Sequence, residues 1–307
     1  MKINLMFPGQ GAQFTGMGLD FYNEYEQYRA LLNEASSVSG LNLLEILEDE
    51  EKLSETENTQ IAIFTMSYGI AGLLRKEGIQ ADHALGLSLG EYGALTYGGA
   101  LSVSDTTKLL RRRSDLMQLS AEERKGFLAA VSFMELAQVE EAVHGISGVS
   151  ISNYNAPKQT VVGGDMEKKA EFEENIRTLG GKKITYLPVS GAFHTKLMES
   201  AATRFRDELK EFAINDPEIA VLSNFKGDFY ERGDDYREIL AKHIDHPVRL
   251  SDCLERLGST EEDVHILLGP GKALQSILKQ NGVKGRFYVV NTVEDFKKTV
   301  SELKGEK

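Results

Sequence analysis

The sequence is poor in cysteine, in long apolar runs and in net positive charge, and each shortage excludes a class of protein. Cys253 is the single cysteine among 307 residues, so the chain cannot form an internal disulfide. We interpret it as a small packed residue in a reducing compartment. No apolar run approaches the roughly 18 residues that span a bilayer. The first residues reach Pro8 and Gly9 too early for a signal peptide, so we expect a cytoplasmic protein without a membrane partner.

The charge balance is acidic, with 47 Asp and Glu residues against 35 Lys and Arg residues and a formal net charge of −12. Binding to nucleic acid needs a basic face, so the composition argues against a nucleic-acid partner. The short basic runs at 111–113 and 182–183 are typical of solvated surfaces. The histidines and carboxylates also lack metal-ligand spacing, and we expect neither a metal nor a cofactor.

A Gly-Leu-Ser-Leu-Gly pentapeptide at residues 86–90 is the strongest local feature. A short apolar run precedes it and a helix-compatible segment follows, which is typical of a nucleophile elbow. Ser88 would then project at the positive end of a helix, where free N–H groups can bind an oxyanion. The same pentapeptide also occurs in ordinary turns, and the pattern alone leaves that alternative open.

The order of elements predicts an α/β fold with an insertion. A strand at 3–7 ends in a glycine-rich loop, and helical periodicity predicts helices at 20–36 and 105–119. The segment 58–75 is apolar nearly all round, which predicts a buried helix. Between these and the C-terminal part, the order is strand, helix, strand, strand, helix, strand. That order is typical of a ferredoxin-like unit. We therefore predict a large subdomain from residues 1–124 and 190–307, and a small ferredoxin-like subdomain at 125–189.

Two further side chains are candidates for chemistry. Arg113 lies on or beside the apolar face of its predicted helix, where it is either paired in a salt bridge or binds a carboxylate ligand. His194 lies next to glycine at a loop-to-helix junction and is the best candidate for a general base. Taken alone, a histidine at such a position is more often an ordinary surface or core residue.

Several motifs recur together in the order of one known family, and the match covers nearly the whole chain. The sequence resembles the malonyl-CoA:acyl carrier protein transacylases of bacterial fatty acid synthesis and the acyltransferase domains of polyketide synthases. The shared motifs are Phe-Pro-Gly-Gln-Gly-Ala-Gln at 7–13, the segment 86–92, Arg113, Asn-Tyr-Asn-Ala-Pro at 153–157, Gly-Ala-Phe-His at 191–194, His-Pro-Val-Arg at 246–249 and Gly-Pro-Gly-Lys at 269–272. The resemblance implies an α/β-hydrolase-like core with the ferredoxin-like insertion.

The resemblance also implies a role for individual residues. Ser88 is expected to be the acylated nucleophile and His194 its base. The N–H groups of Leu89 and Gln10 are expected to form the oxyanion hole. The malonyl carboxylate is expected to bind Arg113. In this family a main-chain carbonyl orients the histidine, and we assign that carbonyl to Arg249.

Two residues depart from the family pattern, and a third bears on selectivity between acyl donors. Leu87 replaces the histidine that usually precedes the nucleophile, and we expect altered packing without lost chemistry. Arg249 stands near a position where glutamine is common, and a second arginine there could redirect the acyl chain. Phe193 resembles the bulky residue of malonyl-selective members, which leaves little room for an α-methyl branch.

The expected reaction is ping-pong transfer of malonyl from malonyl-CoA to the phosphopantetheine thiol of acyl carrier protein, by a monomeric enzyme. Three alternatives remain open: a serine acyl hydrolase, a discrete acyltransferase of a polyketide or polyunsaturated fatty acid pathway, and a non-catalytic docking subunit. Because carrier proteins of this family are acidic, docking requires a local basic patch. The candidates for that patch are Lys182, Lys183, Lys196 and Lys272.

Overall fold

The computed structural model describes residues 1–305, which form a mixed α/β fold with two sheets. The strands are β1 (Ile3–Phe7), β2 (His83–Gly86), β3 (Gly126–Ser132), β4 (Val149–Ala156), β5 (Gln159–Asp165), β6 (Lys183–Tyr186), β7 (Ala220–Ser223), β8 (Asp228–Phe229), β9 (Val264–Leu268) and β10 (Arg286–Val290).

Helices surround these strands, and short 3-10 turns at Met166–Lys168, Lys196–Met198 and Leu209–Glu211 extend two of them. The α-helices are α1 (Leu19–Glu24), α2 (Glu26–Ser39), α3 (Leu43–Glu48), α4 (Glu50–Ser54), α5 (Thr56–Lys76), α6 (Gly90–Tyr97), α7 (Val103–Glu123), α8 (Leu136–Val143), α9 (Lys169–Thr178), α10 (Glu199–Glu208), α11 (Tyr236–Asp245), α12 (Leu250–Leu257), α13 (Ala273–Gln280) and α14 (Val293–Lys304).

The larger sheet has the strand order β10-β9-β1-β2-β7-β8 and is parallel except for the β7–β8 pair. Side chains of β1 alternate between its two faces, as the pleat requires. Leu5 and Phe7 join the core cluster that contains α5, whereas Met6 joins the cluster that contains α12 and α13. Helices therefore cover both faces, which explains why consecutive residues of β1, from Leu5 to Phe7, are apolar and buried.

The smaller sheet is antiparallel, with the order β4-β5-β3-β6. Along the chain its elements run β3-α8-β4-β5-α9-β6, which confirms the predicted element order. A β-bridge between Asn153 and Val248 connects this sheet to the segment before α12. There the Tyr154 N–H donates to Val248 O at 2.9 Å and the Val248 N–H donates to Ser152 O at 2.8 Å. This bridge fixes the small sheet beside the carboxyl ends of the large one.

Some element predictions were wrong in detail. The helix predicted over 20–36 is two helices, because Tyr25 adopts extended backbone angles (φ −115°, ψ 115°) between α1 and α2. The short elements α4, α12 and β8, each of eight residues or fewer, were not predicted. The elements α4 and β8 are too short for a clear periodicity. In α12 the buried apolar residues Leu250, Cys253, Leu254 and Leu257 do follow helical spacing, so that helix was readable and was overlooked.

Candidate active site

Ser88 occupies a sharp turn between β2 and α6, as the nucleophile-elbow interpretation predicts. Its φ is 53°, in the left-handed region that side chains other than glycine rarely adopt. A Cβ added at Gly86 would lie 1.9 Å from Gly90 C, and one at Gly90 would lie 2.4 Å from Phe7 O. Both glycines of the pentapeptide are therefore required by backbone contact, as a nucleophile elbow demands.

His194 lies directly beside the serine, with 2.7 Å between Ser88 Oγ and His194 Nε2. It too has a positive φ, of 60°. Its Nδ1 donates to the carbonyl oxygen of His243 at 2.6 Å, and its main-chain N–H donates to Ile244 O at 3.1 Å. Both carbonyls belong to the last turn of α11, where helical carbonyls have no partner within the helix. The negative end of α11 thus orients the imidazole and favours a positive charge on it.

The assignment of the orienting carbonyl to Arg249 was wrong. Arg249 lies at the start of α12, where its carbonyl accepts from the Cys253 N–H at 3.0 Å. Its guanidinium is partly exposed and pairs with Asp252 at 2.6 Å. The misassignment arose because the motif at 246–249 is close in sequence to α11, whereas the geometry of the helix end selects His243.

Arg113 is almost completely buried, with 1% of its surface exposed, on the face of α7 that borders the serine. Its Nη1 donates to Gln60 Oε1 at 2.6 Å and its Nη2 donates to Ser88 Oγ at 3.0 Å. Its Nε is buried without a hydrogen-bond partner. Within residues 1–305 no acidic side chain forms an ion pair with it, so the alternative of a structural salt bridge was wrong.

Burial controls the ionisation of this cluster. Removal from water, and secondly the positive charge of Arg113, lower the pKa of His194 to about 3, against the raising effect of the His243 carbonyl. Burial also lowers the pKa of Arg113. His194 is therefore neutral at physiological pH and able to accept a proton from Ser88.

Gln10 and Leu89 line the same cleft. Leu89 lies at the N-terminal end of α6, where the first N–H groups of a helix lack intrahelical partners. Among the described residues neither N–H donates a hydrogen bond. The side chain of Gln10 is held by Thr56, to which its Nε2 donates at 3.1 Å. Two free N–H donors near Ser88 are what an oxyanion hole requires.

The cleft has a volume of about 260 Å³ and lies between the two sheets. Leu87 and Phe193 contribute apolar walls, and Asn155 and Gln159 of the small sheet contribute side-chain amides whose oxygens are buried without partners. The departure at Leu87 therefore places an apolar surface in the cleft. The lining residues that come from the glycine-rich segments are Pro8, Gly9, Gln10, Gly11, Ala12 and Pro270.

Sequence reasoning missed Asn224, which holds the nucleophile in place. Its Oδ1 accepts from the Ser88 N–H at 2.8 Å and its Nδ2 donates to Gly86 O at 2.8 Å. Its own N–H donates to the buried carboxylate of Glu91 at 3.0 Å. The available signal was its position directly after β7, since ligand and site residues in parallel sheets follow the carboxyl ends of strands.

The remaining candidates lie away from this cluster. Cys253 is buried, as predicted, and donates to Ser223 O at 3.2 Å. All four proposed docking lysines are exposed, and Lys196 pairs with Asp245 at 3.2 Å. In the part of the chain that the structure describes, there is no group of three metal-binding side chains. Nor is any helix there long and apolar enough to cross a membrane.

Comparison with known proteins agrees with this geometry. Residues 5–301 match the family model described as "Acyl transferase domain". The malonyl CoA-acyl carrier protein transacylase of Bacillus subtilis (strain 168) is 30% identical over 311 residues, which cover 99% of this chain and 98% of that protein.

Solved structures of similar proteins share the whole fold. The malonyl CoA-acyl carrier protein transacylase of Clostridium perfringens Atcc 13124 has a TM-score of 0.93 at 34% identity, covering 99% of this chain and 98% of that one. The malonyl-transacylase PlMCAT, solved with the type II PKS acyl-carrier protein AntF, has a TM-score of 0.93 at 26% identity. The match covers 98% of this chain and 100% of that one. The predicted resemblance is confirmed: the chain belongs to the acyl transferase domain family and, within it, to the malonyl CoA-acyl carrier protein transacylases.

Proposed function

We propose that this chain transfers the malonyl group from malonyl-CoA to the phosphopantetheine thiol of an acyl carrier protein, through a malonyl ester on Ser88. The observation that carries the proposal is the buried guanidinium of Arg113, which forms no ion pair with an acidic side chain of residues 1–305 and lies in hydrogen-bond contact with the nucleophile. A malonyl thioester has a free carboxylate two bonds from the carbon that Ser88 attacks. An acyl donor without this carboxylate leaves a buried cation unpaired.

The reaction has two similar halves, acylation of Ser88 by malonyl-CoA and transfer of the malonyl group to the carrier thiol. His194 Nε2 accepts the Ser88 proton as Oγ attacks the thioester carbon, and the N–H groups of Leu89 and Gln10 stabilise the oxyanion. Collapse of the intermediate breaks the carbon–sulfur bond, and the CoA thiolate leaves with the proton from His194. The carrier thiol then gives its proton to His194, attacks the ester, and Ser88 leaves as the restored alcohol. Arg113 holds the carboxylate throughout.

Replacing Arg113 with alanine tests the proposal. We expect Arg113→Ala to lose its preference for malonyl-CoA over acetyl-CoA by about tenfold or more, because one charge-assisted bidentate pair is removed. Intact-protein mass after mixing with each donor measures the acyl-enzyme. Arg112→Ala is a matched control, since the neighbouring arginine is on the surface and pairs with Glu208 and Glu211.

The same measurement separates the alternatives. An adduct that requires Ser88 and persists without acceptor supports transfer, whereas free malonate and CoA without an adduct would indicate a hydrolase. Equal losses for both donors in Arg113→Ala would show that the arginine is structural. Transfer to a fatty acid carrier in preference to a polyketide carrier would support our further proposal that the enzyme supplies fatty acid synthesis.

Phe193 is proposed to set selectivity against branched donors. It is 5% exposed and lines the cleft that contains Ser88, Arg113 and His194. We expect Phe193→Ser to gain methylmalonyl transfer, because a smaller side chain leaves room for the α-methyl group. Competition between malonyl-CoA and methylmalonyl-CoA measures this, and an unchanged ratio would contradict it.

The finer architecture is also a proposal. The sheet order and element order support a ferredoxin-like subdomain at 125–189, inserted into an α/β-hydrolase-like subdomain made of 1–124 and 190–307. We further propose a monomer in the cytoplasm, where the single buried thiol of Cys253 suits reducing conditions. Light scattering of the purified chain tests the oligomeric state.

A further inference from the structure

A buried carboxylate, Glu91, lies beneath the serine–histidine pair and contacts the residues that hold both members. Its Oε2 accepts from the Asn224 N–H at 3.0 Å, and the side chain of Asn224 holds the Ser88 N–H. The same Oε2 lies 3.3 Å from His243 Nδ1, and the His243 carbonyl holds His194. Glu91 therefore contacts both Asn224, which holds the nucleophile, and His243, which holds the base.

The ring of His243 separates Glu91 from the base. It stacks on the ring of His194 with 4.9 Å between centroids and 28° between planes. Neither ring nitrogen of His243 has an aligned hydrogen-bond partner. Burial, and then the charges of His194 and Arg113, lower the pKa of His243 well below its ordinary value. The His243 ring is therefore a neutral layer between a carboxyl group and the imidazole that takes up the proton.

Glu91 faces few other groups that can be charged. Tyr230, which follows β8, donates its hydroxyl to Glu91 Oε1 at 2.5 Å. Arg113 of α7 acts on Glu91 through its charge, and Glu91 in turn acts on Tyr230 and on Cys253 of α12. Burial raises the pKa of Tyr230 and of Cys253, so both stay neutral. Burial also raises the pKa of Glu91 to about 7, against the lowering effect of hydrogen bonds from Tyr230 and Asn224.

We propose that the Glu91 carboxylate is the counter-charge of the His194 imidazolium, acting across the neutral ring of His243. Glu91 is a positioning residue and does not touch the substrate. The proposal uses the serine–histidine pair of the proposed function. An imidazolium formed beside Arg113 meets a like charge, and in a site of low polarity a negative charge on the opposite side lowers the cost of forming it. Because the α11 carbonyl occupies His194 Nδ1, the carboxylate acts through space instead of through a hydrogen bond.

With this role, the pH dependence of Ser88 reactivity follows the ionisation of Glu91 and not that of His194. His194 stays neutral down to about pH 3, so its own titration leaves the rate unchanged near neutrality. Glu91 gains its charge as the pH rises through about 7. We therefore expect the reactivity of Ser88 to rise through that range because Glu91 ionises, although Glu91 accepts no proton from the serine.

The test measures the rate at which a neutral fluorophosphonate labels Ser88 in the full-length protein, as a function of pH. In this step the serine oxygen bonds to phosphorus, fluoride leaves, and the serine proton passes to His194 and then to water. We expect wild type to react about tenfold faster above the transition than below it, which corresponds to about one pKa unit of base strength. Glu91→Gln should be independent of pH and as slow as wild type at low pH.

Tyr230→Phe is the matched variant, since it removes a hydrogen bond to Glu91 and leaves the carboxylate. We expect it to keep the transition and move it to higher pH, because the lost bond was lowering the pKa of Glu91. A transition retained in Glu91→Gln, or one moved to lower pH in Tyr230→Phe, would overturn the proposal. If Glu91→Gln does not fold, the direction of the Tyr230→Phe shift decides.

The probe carries no malonyl group, so this result is independent of the acyl donor. Failure of malonyl transfer with a normal labelling profile would overturn the proposed function alone. A flat wild-type labelling profile with normal malonyl transfer would overturn the role of Glu91 alone.

Discussion

At the scale of single residues, Asn224 decides how firmly the nucleophile is held. Asn224→Ala removes the acceptor of the part-buried Ser88 N–H and the donor to the buried Gly86 O. We expect a loss of about 1–3 kcal/mol in unfolding free energy, the usual cost of leaving buried polar groups unsatisfied. We also expect slower labelling of Ser88. Urea unfolding and fluorophosphonate labelling measure the two effects; a stability loss with unchanged labelling would show that Asn224 supports the fold alone.

The sequence identified the residues whose function depends on a local motif. Ser88, His194 and Arg113 each lie in a short motif or on a periodic helix face, and the structure brings both His194 and Arg113 within hydrogen-bond reach of Ser88. Asn224 and His243 could not be identified this way. Their roles come from contacts with residues 136 and 49 positions away in the chain, which no local pattern records.

At the scale of elements, the junction between β2 and α6 has the least tolerance for change. We expect Gly86→Ala to prevent the elbow from forming, because the new Cβ would lie 1.9 Å from Gly90 C and 2.0 Å from Glu91 N, both backbone atoms. Loss of Ser88 labelling together with a lower melting temperature would show this.

Gly72→Ala is the control for that experiment. Gly72 lies within α5, and the nearest atom to an added Cβ is the flexible Gln27 Nε2, at 3.5 Å. Alanine should therefore stabilise the helix by about 0.5–1 kcal/mol relative to glycine. Equal effects of the two substitutions would contradict the steric account of the elbow.

Element types were easier to predict than element limits. The order β-α-β-β-α-β was readable because alternating apolar residues and helical periodicity differ over that stretch. The break at Tyr25 was not readable, since tyrosines at helical spacing continue across it while the backbone there is extended. Tertiary packing of Tyr25 against Phe21 and Phe296 accompanies that break.

At the scale of the whole molecule, buried neutral histidines link stability to pH. The pKa of His243 is well below normal in the folded protein, whereas in the unfolded chain it is near the ordinary value of about 6.5. At this histidine the folded protein thus binds fewer protons than the unfolded chain, and the contribution of His243 to stability, present above that pH, is lost as the pH falls.

We expect His243→Phe, which keeps an aromatic ring at this position, to reduce the acid sensitivity. The difference in unfolding free energy between about pH 7 and pH 5 should shrink by about 2 kcal/mol, the linkage contribution of one such histidine. Urea unfolding at the two pH values measures it. An unchanged difference would show that His243 takes up its proton while folded.

The buried guanidinium of Arg113 also has a consequence for the lifetime of the protein in a cell. A buried cation that forms no ion pair with an acidic side chain leaves room for stabilisation by the malonyl carboxylate, and any ligand that binds only the folded state stabilises it by mass action. Quality-control proteases act on the unfolded fraction. Cells short of malonyl-CoA should therefore degrade this enzyme faster, so that its abundance follows the supply of its own substrate.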